Sequence, residues 1–332
     1  MRVLRWGFLL AGLVLLGVIV AETDFREALR LVGQMGAGLV LVFALFVMGF
    51  AGDVATSLLT LRIMPFRPGW YGRLWLVRML GEAFNYTLPA GGMGGEPVKA
   101  VLLNRHFGVP FRDGAASLFL TKTVNVIALV AFLAIGFALM QANEKMSNEY
   151  RLIASIGLVA LTVGITAFFV VQRFRLTSAL ARRIPAWAGG EARLTALAAM
   201  LHDVETRFVE FYATGHGRLP SALLIGFCVW MTGAAEIYVT LAWLGYPVSW
   251  QEAWIIEAAA QLVRAGTFFI PASIGAQEGI FLLICTAVTG SPTVGIAVAV
   301  VRRLRDIVWF GLGFTVGPLL TKLERKIDIE AG

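Results

Sequence analysis

The sequence predicts an all-α polytopic integral membrane protein, with six spanning helices and two re-entrant broken-helix hairpins arranged as an inverted repeat. Three observations carry that expectation. Hydrophobic residues fill 58% of the 332 positions against 15% charged, and the mean hydropathy is +0.78, a balance foreign to soluble domains. Apolar runs near the bilayer-crossing length of about 20 residues recur along the chain. Two further apolar segments, 74–103 and 252–289, are broken in the middle by Pro and Gly and carry carboxylates, as helices interrupted inside a membrane do. A single transmembrane domain over residues 1–332 is expected.

At the start of the chain, Arg2 and Arg5 precede an apolar run to Ala21. No small-residue cleavage pair precedes Glu22, so a retained signal anchor is expected rather than a removed leader. Spans are expected at about 5–21, 38–60, 115–141, 152–172, 220–245 and 293–318. Six crossings put both ends on one side. Arg62, Arg67, Arg73, Lys99, Arg105, Arg112, the stretch from Arg173 to Arg218, and the tail with Lys322, Arg325 and Lys326 are basic. The loops at Asp24–Glu27, Asn143–Lys145 and Tyr246–Pro247 are not basic, so both termini should be cytoplasmic in the bacterial inner membrane. The connector at about 178–215 mixes charges with periodic Leu and Ala, which suits an amphipathic interfacial helix or a solvated linker.

The net charge of +7 and pI near 9.8 point in a membrane chain to anionic lipid headgroups, not to nucleic acid. Cys228 and Cys285 lie inside apolar runs with no C-x-x-C pair, and His106, His202 and His216 are far apart. No metal and no cofactor is therefore expected. Neither H-E-x-x-H nor G-x-S-x-G occurs, which argues against a membrane-embedded hydrolase or transferase.

The two broken segments resemble each other. Pro89-Ala90-Gly91-Gly92-Met93-Gly94-Gly95-Glu96 stands against Pro271-Ala272-Ser273-Ile274-Gly275-Ala276-Gln277-Glu278, with seven positions from Pro to Glu in both. Gly108-Val109-Pro110 and Gly290-Ser291-Pro292 follow at the same offset. A spanning segment with a cation comes next, Lys122 in one and Arg302, Arg303 and Arg305 in the other; one residue of slippage aligns Lys122 and Asn125 with Arg303 and Asp306. Repeat one is expected over about 74–141 and repeat two over about 252–318. By the charge assignment the two enter from opposite faces, an arrangement suited to alternating exposure of one site.

Pro89 and Pro271 each remove a backbone donor, and the glycines Gly94, Gly95 and Gly275 permit tight turns beside them. Glu96 and Glu278 are candidate site residues because a carboxylate inside a membrane needs a cation or a proton. Lys122, Arg264, Arg303 and Arg305 are the available companions. The alternative is that Glu96 pairs with Lys99 or Lys122, and Glu278 with Arg303, only to lock helices, or that Glu96 snorkels to the interface. Arg78, Glu82, Glu252 and Glu257 read as interfacial, and Asn85 and Thr267 serve either the broken backbone or a ligand. The two Pro-to-Glu segments are expected to approach near the midplane around a polar cavity.

The run Asn85-x-x-Leu88-Pro89 through Gly94-Gly95-Glu96-x-x-Lys99-Ala100, joined to Pro271-x-x-x-Gly275-x-x-Glu278-Gly279 and Arg303-x-x-Asp306, resembles the flippase-like transmembrane domain of bacterial lysylphosphatidylglycerol synthases and their stand-alone relatives. The resemblance covers nearly the whole chain. It implies translocation of a lipid with a polar headgroup, among them phospholipids, aminoacyl lipids, polyprenyl-linked sugars and hopanoids, with lipid-biosynthesis enzymes as partners. Members that make the aminoacyl lipid carry a soluble synthase domain after the membrane part; this sequence ends soon after Lys322, so that synthesis is not expected. A non-transporting scaffold of a lipid-biosynthesis complex is the competing expectation, and an intramembrane lipid-modifying enzyme a third. Cargo, direction, driving force and oligomeric state are not legible from the residues.

Overall fold

The computed structural model describes residues 10, 13–19, 21, 23–61, 68–87, 95–173 and 217–331, which are mainly helical with no strand among them. In chain order the helices are α1 (Phe25–Gln34), α2 (Ala37–Thr60), α3 (Pro68–Thr87), α4 (Gly95–Phe107), α5 (Phe111–Ala142), α6 (Asn148–Arg173), α7 (Arg218–Trp243), α8 (Trp250–Gly266), α9 (Ala276–Thr289) and α10 (Pro292–Ala331), with a short 3₁₀ turn at Pro271–Ser273 before α9. α2, α5, α7 and the part of α6 up to Ala167 are long and apolar enough to cross a membrane. They match the spans expected at 38–60, 115–141, 152–172 and 220–245.

Two other expected spans are not among these four. Residues 5–21 are described only in part, and the connector at 178–215 lies outside the described residues. The span expected at 293–318 is instead part of the long helix α10, which carries Arg302, Arg303, Arg305 and Asp306 in mid-course. Such a helix needs neighbours that meet its charges: α10 packs against α1, α3 and α9.

The repeated tripeptides have the same local job. Gly108 and Gly290 both take positive φ, 66° and 76°, which ends α4 and α9 with the left-handed residue that only Gly adopts without cost. Pro110 then caps α5 and Pro292 opens α10, where a missing N–H is harmless. Each break thus leads by a rigid corner into a long helix.

Two apolar cores hold the bundle. One gathers Ile237, Leu241, Ile255, Ile256, Phe281 and Ala297 from α7, α8, α9 and α10. The other is aromatic: Trp309 of α10 meets Phe50 of α2 edge-on at 4.7 Å and Phe46 at 5.3 Å. α6 is peripheral, touching α5 and α8 and leaving Leu152, Ile153 and Val163 exposed, the surface of a helix solvated by lipid rather than water.

Candidate functional site

The first break lies between α3 and α4, which pack directly on one another. Close approach is set by small residues: a Cβ on Gly95 would strike the Gly81 carbonyl, and one on Gly81 would strike the stem of Lys99. Lys99 is therefore drawn into the interior, 2% exposed. Its ammonium lies 2.7 Å from Glu82 Oε1 and 2.9 Å from Glu96 Oε1. Asn85 Nδ2 donates to Glu82 at 3.0 Å, and Asn85 Oδ1 accepts the Gly95 N–H at 2.6 Å. Asn85 thus satisfies the first free donor of α4, which the Pro-containing break leaves without a helical partner. Pro89 and Gly94 lie outside the described residues.

The network continues onto two spans. Arg78 Nη2 sits 2.8 Å from Asp53 of α2, and Asn125 of α5 donates to the same carboxylate at 3.1 Å. Asn125 Oδ1 is buried without a hydrogen-bond partner among the described residues, an acceptor beside a charged network. Lys122, one turn earlier on α5, keeps its side chain exposed yet lies in the field of Glu82, Glu96, Lys99 and Arg78. It closes no ion pair among the described residues.

The second break lies between α8 and α9. Glu278 is 6% exposed; its Oε1 binds Arg303 Nε at 2.6 Å and its Oε2 accepts the Gly275 N–H at 2.7 Å. Arg303 Nη1 donates to the Ala272 carbonyl at 3.0 Å. Thr267 Oγ1 lies 2.8 Å from the Val263 carbonyl and 3.1 Å from Ser273 Oγ, so Thr267, like Asn85, serves the broken backbone. Arg264 sits half-buried on the last turn of α8.

One placement decides between alternatives of the sequence reading and two correct it. Glu96 is held by Lys99, not by Lys122. Arg305 and Asp306 do not join Glu278: they bind each other at 2.6 Å, and Arg305 reaches Glu236 of α7. Glu257, read as interfacial, is 1% exposed and pairs with Arg302. Glu236, Glu257, Arg302, Arg305 and Asp306 form a buried network of their own, to which Gln261 donates at 2.7 Å. Sequence reasoning also missed Asp53, Arg78 and Glu82. The signal was present, since Asp53 and Glu236 stand inside apolar runs and Arg78 and Glu82 are one helical turn apart. Arg78 and Glu82, read as interfacial, are central to the first network.

Both breaks repeat one design, in which a carboxylate just past the interruption meets a cation from an adjoining turn or helix. α3 touches the Pro271–Ser273 turn, and α10, which supplies Arg303, packs on both α3 and α4. The two breaks therefore share α10 as a common wall. Buried pairs of this kind hold geometry more than they add stability. No group of three or more His, Cys, Asp and Glu side chains among the described residues is placed to hold a metal.

The match with known proteins follows the same extent. The family model described as the lysylphosphatidylglycerol synthase TM region covers residues 5–313, which includes both breaks and the charged centre of α10. The chain belongs to that family. Among its relatives is a UPF0104 membrane protein of Methanothermobacter thermautotrophicus, 22% identical over 239 residues, 68% of this chain and 68% of the relative. No solved structure matches the chain. Family membership and the four apolar helices identify a membrane protein.

Proposed function

We propose that the protein moves a lipid with a polar headgroup between the leaflets of the bacterial inner membrane, without chemical change to the lipid. One observation carries this reading: two interrupted helix pairs, each with a paired carboxylate at the break, lie against one charged helix. Polar groups at helix breaks supply contacts that lipid tails cannot, while acyl chains stay in the bilayer. Lys122 is exposed and closes no ion pair among the described residues, so it is suited to the phosphate of a headgroup. Asn125 Oδ1 is placed to accept from a hydroxyl or amine of the same headgroup. In this reading the breaks are re-entrant, the repeats are inverted and both termini are cytoplasmic. Lipid-biosynthesis enzymes would supply or consume the cargo.

The test is leaflet-to-leaflet movement of fluorescent phospholipid, aminoacyl-lipid and polyprenyl-sugar analogues in proteoliposomes. Movement of one class is expected, reduced about tenfold or more by Glu278→Gln, Arg303→Ala or Lys122→Ala. No movement of any analogue, with and without a proton gradient, would sink the proposal. A scaffold reading is favoured by one feature, that Glu96 and Glu278 already hold cations in closed pairs. On that reading Glu96→Gln and Glu278→Gln leave function intact in cells at normal expression.

A further inference from the structure

The turn between α8 and α9 is wound against the preference of its residues. Ala272 and Ser273 both take left-handed backbone, at φ 51° and 49°, where the Cβ of an L-residue crowds the following carbonyl. Two consecutive non-glycine residues in this region persist only when surrounding contacts impose them. One ion pair supplies part of that support, beside the hydrogen bonds of Thr267 Oγ1 to Ser273 Oγ and of the Ser273 N–H to the Ile270 carbonyl, and the packing of α3 on the turn. Arg303 Nη1 holds the Ala272 carbonyl at 3.0 Å while its Nε holds Glu278 at 2.6 Å. Glu278 in turn holds the Gly275 N–H at 2.7 Å. The pair therefore clamps both ends of the strained turn, and Ser273 is pressed inside at 4% exposure.

The clamp also has a donor to spare. Arg303 Nη2 is buried and has no hydrogen-bond partner among the described residues, and a guanidinium with an idle donor next to a shared one is ready to donate to an anionic oxygen. Rotation of the guanidinium toward that oxygen would draw Nη1 from Ala272 and leave the left-handed turn unsupported. Just before the turn, Phe268 and Phe269 are exposed at 63% and 44%.

We propose that residues 267–275 are a gate on the headgroup path, held shut by Arg303 and opened when an anionic lipid headgroup engages that guanidinium. This rests on the translocation reading for its purpose but not for its test. Gln277, at the start of α9, is 6% exposed and becomes reachable when the turn opens. Gln277→Cys is placed in a Cys228→Ser, Cys285→Ala background and reacted with a small water-soluble methanethiosulfonate in phosphatidylcholine nanodiscs. Ala272→Gly relieves backbone strain of the shut form without removing a side-chain hydrogen bond, and is expected to slow labelling about 5- to 30-fold. Arg303→Lys, which keeps the charge and loses the fork, is expected to speed it. Phosphatidylglycerol in the nanodisc is expected to speed labelling of the parent protein.

Labelling at the parental rate in Ala272→Gly overturns the gate. Equal rates with and without phosphatidylglycerol overturn the headgroup as its release signal. Labelling that follows the expected order, in a protein that moves no lipid analogue in proteoliposomes, keeps the gate and removes the translocation reading.

Discussion

Glu257 shares its carboxylate between Arg302 and Gln261, and all three side chains are buried. Such a charge is tolerable only while its partner stays, because a lone ion in a low-dielectric interior keeps the full desolvation cost. Glu257→Gln is therefore expected to destabilise the protein by about 3–5 kcal/mol. Thermal unfolding in detergent checks it, and the double variant Glu257→Gln, Arg302→Gln should recover part of the loss because the two changes are coupled. At this scale the sequence is partly legible. Glu96 and Glu278 stand out because Pro and Gly flank them, whereas Glu236 and Asp53 are marked only by being lone carboxylates in otherwise apolar runs. Which carboxylate meets which cation depends on helix faces far apart in the chain, as Arg303 with Glu278 and Arg305 with Glu236 illustrate.

Helix pairs are governed by small residues. α2 and α7 pack closely where Gly52 faces Val229; a Cβ on Gly52 would stand 2.6 Å from Val229 Cγ2. Without a water-driven hydrophobic force between helices in lipid, this close contact supplies the attraction. Gly52→Leu is expected to force the pair apart and cost about 1–3 kcal/mol, read as a lower unfolding midpoint with helix content unchanged by circular dichroism. Corners at this scale are local, so the Gly-x-Pro corners at 108–110 and 290–292 can be read directly from a repeated pattern of residues. The extent of α10 cannot. Its central charges argue against a continuous membrane helix until α3, α7 and α9 are seen to supply partners and packing.

For the molecule as a whole, the proposed inversion makes a direct prediction about sidedness. Asn104 precedes the first Gly-x-Pro corner and Ser291 lies within the second. Single cysteines at the two positions should label from opposite sides of a sealed, oriented vesicle, using a membrane-impermeant maleimide and a Cys228→Ser background. Labelling of both from one side would rule out the inversion.

The sequence by itself determined the membrane class, the four long apolar helices and the positions of the two breaks. Each of these depends on hydropathy over one segment or on the backbone chemistry of Pro and Gly, and neither needs a distant neighbour. Only the tertiary structure decided that Lys99 rather than Lys122 holds Glu96, that Arg305 belongs to Glu236, and that Ala272 and Ser273 are bent into left-handed backbone beside Arg303. The reason is physical: a buried charge takes its partner from whichever helix face packs against it, and that choice is made by the whole bundle.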